Sequence, residues 1–223
     1  MSYIGTTKIG GIYLGTTKIG RAYLGGELVF RNGLPTGYTE LQYVSTDSHA
    51  NIDTGVAGAE DLEVYIKFSC SSFVQYGAIY GNYVNENRKC NRAIFATTNS
   101  TLYVAGGRNL ATLVSGFTLN DTHELSVQST RAVLDGVETT ISASTQSSNT
   151  TNICLGNLKV GSVSFQNIGL KIYDFKIRKA GSVVKHYIPC VRDLDSVAGF
   201  YDLVADAFVP SSTGTDFTAG PTL

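Results

Sequence analysis

DLEVYIKFS, residues Asp61–Ser69, alternates apolar and polar side chains from one end to the other. The apolar side chains are those of Leu62, Val64, Ile66 and Phe68, and the polar side chains between them are those of Glu63, Tyr65 and Lys67. Successive side chains of a strand point to opposite faces, so this pattern predicts a β-strand with one face in a core and one toward solvent. Such strands are typical of antiparallel sheets that are covered on one side.

Further short runs, separated by turn residues, extend the β pattern along the chain. Asp135-Gly136 is the strongest short signal for a hairpin turn. Other strands are predicted at residues 77–80, 93–97, 102–105, 124–128, 131–138, 152–155, 169–178 and 183–187. Because no helical pattern separates them, we predict an all-β fold, a two-sheet antiparallel sandwich of the jelly-roll type rather than a parallel α/β sheet.

One predicted strand breaks the strict alternation. Its apolar side chains stand at even-numbered positions as far as Ile172 and at odd-numbered positions from Phe175 onward. Tyr173 lies at this change of parity. Either a β-bulge near Tyr173 or burial of both faces accounts for such a shift.

The first thirty residues repeat with a period of ten. YIGTTKIGGI at residues 3–12 is followed by YLGTTKIGRA at residues 13–22 and by a degraded copy, YLGGELVF, at residues 23–30. Each copy contains a short strand-like run and glycines that suit a turn. The repeat therefore predicts a small β-meander or a stack of short hairpins.

Hairpins of this size bury too little surface to be stable alone, so their apolar side chains must lie against something else. The repeat either packs on its own domain as an extra sheet or forms an arm that anchors or oligomerises the protein through strand pairing. We favour the arm. Its predicted anchoring residues are Ile9, Ile12, Leu14, Ile19 and Leu24.

A composition break follows the repeat. RNGLPTG at residues 31–37 combines Asn32-Gly33 with Pro35, which are turn and linker residues. We place the domain boundary here, with the arm at residues 1–33 and a jelly-roll domain at residues 34–223. A domain of this length buries enough surface to form a core without metals or disulfides.

The composition restricts the classes of partner. The 223 residues carry 17 basic and 18 acidic side chains, a net charge of −1. A chain with so little net charge has no long-range electrostatic attraction to nucleic acid or to an anionic membrane. No apolar run approaches the length of a membrane-spanning helix. The N-terminus lacks the regions of a signal peptide, so we expect synthesis and folding in a cytoplasm.

Cysteine and histidine spacing predicts neither a metal site nor a cofactor. The four cysteines are too far apart for a CxxC site, and the three histidines form no ligand-spaced set with them. Because a cytosol keeps thiols reduced, we expect free and mostly buried thiols. The residues concerned are Cys70, Cys90, Cys154, Cys190, His49, His123 and His186.

The sequence contains no recognisable catalytic motif, so we expect a protein that is not an enzyme. Jelly-roll glycanases carry paired carboxylates along one strand, but the densest acidic cluster, Glu60, Asp61 and Glu63, has a different spacing. Nucleophile-elbow, zinc-protease and phosphate-loop motifs are also absent. Asp193 and Asp195 are candidates for a loop calcium site, although two such aspartates more often cap turns.

A tyrosine- and asparagine-rich segment, YGAIYGNYVNENRKCNR at residues 76–92, is the most suggestive recognition surface. Aromatic faces stack on sugar rings, and amide and guanidinium groups bond to sugar hydroxyls. The alternative is a polar loop with tyrosines at the rim of the sandwich. The candidate glycan contacts are Tyr80, Asn82, Tyr83, Asn85, Asn87 and Arg88.

Motifs at both ends of the second domain carry a family resemblance. They are LPTGYTELQYV at residues 34–44, IDTGV at 52–56, IYDFKI at 172–177, YIPC at 187–190, GFYDLV at 199–204 and TGTDFTAG at 213–220. Over roughly residues 34 to 220 the chain resembles the concanavalin A-like, laminin-G-like jelly-roll domains of phage and prophage virion proteins. The ten-residue repeat is similar to N-terminal segments of phage structural proteins.

The resemblance implies a non-enzymatic virion protein, a tail or head fibre or a capsid or tail decoration, made in the cytoplasm of the bacterial host. Its head would face outward and attach to host-surface glycans. The arm would bind other virion proteins of the capsid or tail, and we expect a homo-oligomer, with a trimer favoured. Two alternatives stay open: a glycan-binding adhesion module whose arm only oligomerises it, and a purely architectural decoration protein.

The closing motifs also have a physical interpretation. Pro189 is expected to end a strand because it has no N–H for the hydrogen-bond ladder, and Asp202 is expected to satisfy turn amides. We expect these two residues, together with Tyr187, Cys190 and Tyr201, to determine the fold rather than to bind a ligand.

Overall fold

Every regular element that the structure describes is a β-strand. The structure, a computed structural model, describes residues 33–46, 50–72, 77–83, 91–95, 101–107, 112–142, 151–157 and 168–223, with strand segments inside residues 3–31 and at 159–160 and 163–164. In this part of the chain there is no helix long and apolar enough to cross a membrane.

The strands are short at the N-terminus and longest near the C-terminus. They are β1 (Tyr3–Ile4), β2 (Thr7–Lys8), β3 (Ile12–Leu14), β4 (Thr17–Ile19), β5 (Arg21–Leu24), β6 (Glu27–Arg31), β7 (Tyr38–Glu40), β8 (Val44–Ser45), β9 (Ile52–Ala57), β10 (Leu62–Cys70), β11 (Ala78–Tyr83), β12 (Arg92–Phe95), β13 (Leu102–Ala105), β14 (Thr112–Val114), β15 (His123–Val127), β16 (Arg131–Leu134), β17 (Val137–Thr140), β18 (Asn152–Leu155), β19 (Lys159–Val160), β20 (Val163–Ser164), β21 (Leu170–Lys179), β22 (Ser182–Arg192), β23 (Val197–Asp202), β24 (Ala207–Val209) and β25 (Thr218–Ala219).

Two large sheets contain most of these strands. Sheet I has the order β17-β16-β15-β10-β21-β22-β23-β24, with β7 paired to β22 and β8 paired to both β21 and β25. Sheet II has the order β14-β13-β12-β11-β18-β9, with β19 and β20 attached through β11. All described pairings are antiparallel except that of β11 with β19. The predictions of an all-β chain and of two antiparallel sheets are therefore confirmed.

One hydrophobic core lies between the sheets. The apolar side chains of β10 are at most 2% exposed, as the alternation predicts: Leu62, Val64, Ile66 and Phe68. The ring of Phe117 lies 5.4 Å from that of Phe68 in sheet I and 5.4 Å from that of Phe95 in sheet II, between centroids. Full burial of one such ring contributes about 2–3 kcal/mol, so this aromatic cluster holds the two sheets face to face.

A β-bulge interrupts β21 where the sequence changes parity. Lys67 of β10 is opposite Asp174, but the next residue, Phe68, is opposite Ile172, so Tyr173 is the extra residue. Ile172 and Phe175 are both buried in the core, whereas Tyr173 and Asp174 are both turned away from it and half-buried. The bulge alternative is confirmed, and it places two consecutive side chains on the outer face, the face of sheet I that is turned away from the core.

The Asp135-Gly136 pair forms the predicted hairpin turn. β16 and β17 pair across it, and the two turn residues have φ values of +50° and +84°. Positive φ at both positions defines a type I′ turn, which matches the twist of the strands. The Asp135 carboxylate also accepts the N–H of Glu124 at 2.8 Å and contacts Nδ1 of the buried His123.

The expectation that Pro189 ends a strand is wrong. Pro189 lies inside β22, opposite Phe200 of β23. On its other side β22 changes partner, from β21, whose pairing reaches Tyr187, to β7, whose pairing begins at Cys190. The Pro189 carbonyl accepts the N–H of Leu41 at 3.0 Å, so the position that lacks an N–H faces the junction between β21 and β7 rather than β23.

A second, smaller cluster of apolar side chains covers the outer face of sheet I near β22 and β23. Its buried members are Ile188, Cys190, Tyr201 and Leu203, and Leu34, Tyr38 and Phe208 pack against them. The Tyr38 ring lies 4.9 Å from that of Tyr201 and 5.8 Å from that of Phe208. The segment directly after the repeat is therefore attached to the sheet by aromatic packing.

The repeat forms three successive hairpins. β1 pairs with β2, β3 with β4, and β5 with β6, each as a separate two-stranded sheet. None of these described strands joins sheet I or sheet II. The stack of short hairpins matches the expectation from the repeat, but its role as an arm stays a prediction. Ile9 lies outside the described residues, as do the side chains of Ile12, Leu14, Ile19 and Leu24.

Cys70 and Cys190 are free and buried, as expected. Cys154 is buried as well, and its thiol donates to Oδ1 of Asn51 at 3.3 Å. Cys90 lies outside the described residues. Of the other expected fold determinants, Tyr187, Tyr201 and Asp202 are each at most 4% exposed. The Asp202 carboxylate accepts the N–H of Val204 at 3.0 Å and pairs with Lys185 at 2.9 Å, which confirms its turn-capping role.

Candidate functional site

Two of the predicted glycan contacts belong to the core. Tyr80 and Asn82 lie in β11 and are 0% exposed. The Tyr80 ring packs 6.2 Å from that of Phe175 across the sandwich, and burial raises the pKa of its hydroxyl far above the usual value. These two residues are therefore corrected from surface contacts to structural residues. Composition could not reveal this, because alternation within β11 decides which of its polar side chains point inward.

Asn82 holds the base of the tyrosine- and asparagine-rich segment. Its Oδ1 accepts the N–H of Asn91 at 2.7 Å, and its Nδ2 donates to the carbonyl of Thr151 at 2.6 Å. Asn91 in turn exchanges two hydrogen bonds with the backbone of Ala59. Gly58 lies so close that a Cβ there would be 2.1 Å from Nδ2 of Asn82. The amide pair thus joins β11 to its surroundings, and with Asn82 0% and Asn91 1% exposed neither residue is open to a ligand.

The remaining predicted contacts stay predictions. Tyr83 is the last residue of β11, and its side chain lies outside the described residues. Asn85, Asn87 and Arg88 also lie outside them.

Three of the acidic residues noted in the sequence, Glu63, Asp193 and Asp195, are engaged with neighbouring side chains. Glu63 accepts hydrogen bonds from Ser126, Gln128 and Arg178 on the two adjacent strands. Asp193 accepts from the Thr39 hydroxyl at 2.8 Å, and both oxygens of Asp195 bind Arg192 at 2.6 and 3.0 Å. Within the described ranges no group of three or more His, Cys, Asp or Glu side chains is placed to hold a metal ion.

A pocket of about 280 Å³ opens on the outer face of sheet I, at the end where β8 and β25 lie beside β21. We call it the tyrosine pocket. The side chains that give it its chemistry are Tyr43, Ser69, Ser71, Asn120, Lys171 and Tyr173. They come from four separate parts of the chain, so only the folded sheet assembles them. No sequence motif identified the pocket, although the parity change at Tyr173 marked one of its residues.

The bulge supplies one wall of the tyrosine pocket. Because Tyr173 is the extra residue of β21, its side chain leaves the core side and reaches the Ser69 hydroxyl, with 3.2 Å between the two oxygens. Ser69 is itself buried. A hydroxyl group has one donor and two acceptor positions, so this contact leaves both side chains with hydrogen-bonding capacity toward the pocket.

Tyr43 and Lys171 form the opposite wall. The ring of Tyr43 lies 5.5 Å from that of Tyr173 at an interplanar angle of 64°, so the two rings make an open corner. The ammonium of Lys171 lies 4.8 Å from the Tyr43 ring centroid, a cation–π distance. Among the described residues no carboxylate pairs with this ammonium.

Backbone contacts hold Tyr43 in place. Its carbonyl accepts the N–H of Gly220 at 3.0 Å, and a Cβ at Gly220 would lie 2.6 Å from that carbonyl oxygen and 2.8 Å from the ring. Only glycine fits at this position. The corner of the two rings is therefore built into the packing of β8 against β25 rather than left to free side-chain rotation.

The pocket favours binding over bond cleavage. Its described lining residues include no carboxylate. Cys70 also lines it, but burial raises the pKa of this thiol to about 11, so the reactive thiolate is scarce at neutral pH. Aromatic faces, hydroxyls, one amide and one ammonium remain, a set that suits hydrogen bonding to a polar ring.

Between the tyrosine pocket and the apolar cluster at β22 and β23, the outer face of sheet I carries an ion-pair ladder, formed by Glu63, Lys67, Glu124, Asp174, Lys176, Arg178 and His186. Lys67 pairs with Glu124 at 2.8 Å, and Asp174 pairs with Lys176 at 2.9 Å and His186 at 3.1 Å. Burial by itself raises the pKa of Asp174, but the hydrogen bond from His186 and the charge of Lys176 outweigh it and hold that pKa below its usual value. In the ladder each charge is satisfied by a neighbour on the sheet.

No protein-family model matches the sequence, and no curated protein matches it.

Proposed function

We propose that this chain is a non-enzymatic structural protein of a phage virion, a fibre or a decoration of the capsid or tail. Its repeat arm attaches to other virion proteins or to further copies of the chain, and its jelly-roll head faces outward and contacts host-surface glycans. The observation that carries the proposal is the separation of the chain into three self-paired hairpins and a two-sheet domain with its own core.

The hairpins need a partner. A two-stranded sheet has two open edges and is at best marginally stable in water, and the three described hairpins share no strand with either large sheet. Strand pairing with further copies, or with another virion protein, would satisfy those edges. This requirement supports an anchoring or oligomerising arm over an independent repeat.

The path of the chain supports a jelly roll. After β9 in sheet II the chain enters sheet I at β10, returns to sheet II for β11–β14, continues in sheet I with β15–β17, places β18 in sheet II, and ends in sheet I with β21–β24. Repeated passage between two facing antiparallel sheets is the connectivity of Greek-key and jelly-roll sandwiches.

The motifs that carry the family resemblance are adjacent in space. The runs 172–177, 187–190 and 199–204 fall in β21, β22 and β23, three neighbouring strands of sheet I. Their agreement with the phage jelly-roll domains therefore concerns one structural unit. The chemistry of the tyrosine pocket, which lies at one end of this unit, supports a binding role for the head.

The solution mass of the full chain and of residues 34–223, measured by light scattering on a sizing column, tests the division into arm and head. All residues of the hydrophobic core lie between Leu41 and Phe217, so the shorter chain retains the whole core. We expect a trimer for the full chain and a monomer after removal of the arm. Two monomers would overturn oligomerisation and leave docking of single copies on the virion.

Incorporation into particles tests the anchoring role separately. We expect deletion of residues 1–33 to abolish incorporation while leaving a folded head. A full-length chain with Leu14→Asp is the matched variant, because it keeps the repeat but places a charge in a predicted anchoring position. If the truncated chain still decorates particles, the anchoring role of the arm is wrong.

A further inference from the structure

We propose that the tyrosine pocket binds an acidic sugar, a single pyranose ring that carries a carboxylate, with Lys171 pairing the carboxylate and Tyr43 and Tyr173 holding the ring. The inference deepens the proposed function, on which it rests for the source of the ligand, a surface glycan of the host. In this proposal the tyrosine pocket, and not Tyr80 or Asn82, is the centre of glycan recognition.

The unpaired cation is the first step of the argument. On the outer face of sheet I, Lys67 and Lys176 each have a carboxylate within 2.9 Å. Lys171 has none among the described residues, and its ammonium lies instead over the Tyr43 ring. A cation that is held in place and left without a counterion favours an anionic group in the pocket.

The two tyrosine rings provide the second step. They meet at 64° with centroids 5.5 Å apart, so a small ring in the corner contacts one aromatic surface below and another beside it. The C–H groups of a pyranose form such an apolar face, and contact with it buries aromatic surface that is otherwise half-exposed.

The polar groups around the corner match the hydroxyls of a sugar. Ser69 and Tyr173 share one hydrogen bond, which uses one of their two O–H donors. Ser71 and Asn120 are exposed at the pocket mouth. Asn120 has φ of +66°, and its backbone N–H donates to the Cys70 carbonyl at 2.9 Å, so its backbone is held beside the strand that carries Ser69.

The size and rigidity of the pocket set the size of the ligand. About 280 Å³ lies just below the range of roughly 300–1,000 Å³ typical of ligand pockets, which suits one ring of a glycan rather than a large cofactor. Because the bulge and Gly220 position the rings beforehand, little side-chain freedom is lost on binding. Even a millimolar site becomes useful when many copies on one particle engage a surface together.

Ligand-observed NMR on the full chain tests the inference. The probes are D-glucuronate, D-galacturonate and N-acetylneuraminate, with D-glucose and D-galactose as the neutral counterparts of the first two. We expect saturation transfer to at least one acidic sugar, with a dissociation constant of about 1 mM, and weaker transfer to its neutral counterpart. Raising the salt concentration should weaken binding of the acidic sugar but not of the neutral one, because salt screens the contact between the Lys171 ammonium and the carboxylate.

Two pocket variants and one control separate the contributions. Lys171→Gln should lower affinity for the acidic sugar about fivefold and leave neutral sugars unchanged, since one partly exposed ion pair is lost. Tyr173→Ala should abolish binding of both acidic and neutral sugars. Lys67→Gln, which removes a paired lysine from the same face, should change neither. Thermal melts of each variant show that it is folded.

The outcomes distinguish this inference from the proposed function. Absence of binding by all three acidic sugars, or equal binding by the wild type and Lys171→Gln, would overturn the acidic-sugar site while leaving the arm and head intact. Sugar binding by a chain whose full-length and truncated forms are both monomers, with the truncated form still decorating particles, would support the pocket and overturn the proposed arm.

Discussion

The ion-pair ladder and the tyrosine pocket lie on the same face of the same sheet and share β21, yet their charges are arranged in opposite ways. In the ladder, Lys176 and His186 both contact the carboxylate of Asp174. In the pocket, Lys171, on the same strand, has no carboxylate partner among the described residues. The bulge at Tyr173 separates the two regions.

The difference shows how one sheet face can serve both stability and recognition. Where cross-strand neighbours are opposite in charge, as for Lys67 and Glu124, the pair satisfies itself and presents little unused binding capacity. Where a bulge shifts the register, the side chains no longer meet a complementary neighbour. Tyr173 and Lys171 are then left for something outside the chain.

The largest expected effect comes from the core residue beneath both regions. Phe175→Ala should lower the free energy of unfolding by about 3–5 kcal/mol, because it removes the ring that packs 5.8 Å from Tyr187 and 6.2 Å from Tyr80. Urea denaturation measures this change. Phe175→Leu is the control and should lose less than half as much. Equal losses for the two variants would contradict this expectation and show that the aromatic contacts, rather than buried apolar volume, provide the stability.

Asp174→Asn tests the ladder and its pH dependence. We expect a loss of about 1–2 kcal/mol at pH 7, since the charged hydrogen bonds to His186 and Lys176 are weakened. The pKa of Asp174 is lowered in the folded state, so its contribution is present above the unfolded-state value of about 4 and disappears as the pH falls through the folded-state value. Urea unfolding of wild type and variant should therefore converge in acid.

The matched control for the ladder is Glu138→Gln. Glu138 pairs with Arg131 at 3.3 Å, but both side chains are about half exposed, so we expect a loss below about 0.5 kcal/mol. A constant difference between wild type and Asp174→Asn from pH 7 to pH 2 would contradict the assignment of the lowered pKa to this carboxylate.

Tyr80→Phe sharpens the distinction between core and recognition residues. The Tyr80 hydroxyl is buried and has no hydrogen-bond partner among the described residues, so its removal should leave stability unchanged or raise it by about 1 kcal/mol. Tyr201→Phe is the opposite case, because its hydroxyl donates to Asp206 at 2.9 Å, and should lose about 1 kcal/mol. Thermal denaturation of both variants provides the comparison, and destabilisation by Tyr80→Phe would reveal a missing partner.

Lys171→Gln should have the smallest effect on stability. Without a carboxylate partner to lose, the variant should unfold within about 0.5 kcal/mol of the wild type at all salt concentrations. Chemical denaturation at low and high salt measures this. A clear loss of stability at low salt alone would indicate that Lys171 belongs to the ladder, and the contrast between the two regions would disappear.

Much of the framework was predictable because it depends on neighbours in sequence. The alternation of β10 predicted its buried face, Asp135-Gly136 predicted the hairpin, and the parity change predicted the bulge at Tyr173. Pro189 was misassigned because its effect depends on which strands flank β22, and this is a property of the sheet. Tyr80 and Asn82 were misassigned because composition does not distinguish the two faces of a strand.

The sequence by itself determined the all-β class, the hairpin repeat and the position of the bulge, since side-chain periodicity and turn chemistry act over a few residues. Only the tertiary structure decided where a pocket forms and which cation remains unpaired. Tyr43, Ser69, Asn120 and Lys171 are far apart in sequence and meet only when β8, β10, β21 and β25 assemble. Cross-strand register, which local patterns do not specify, brings them together.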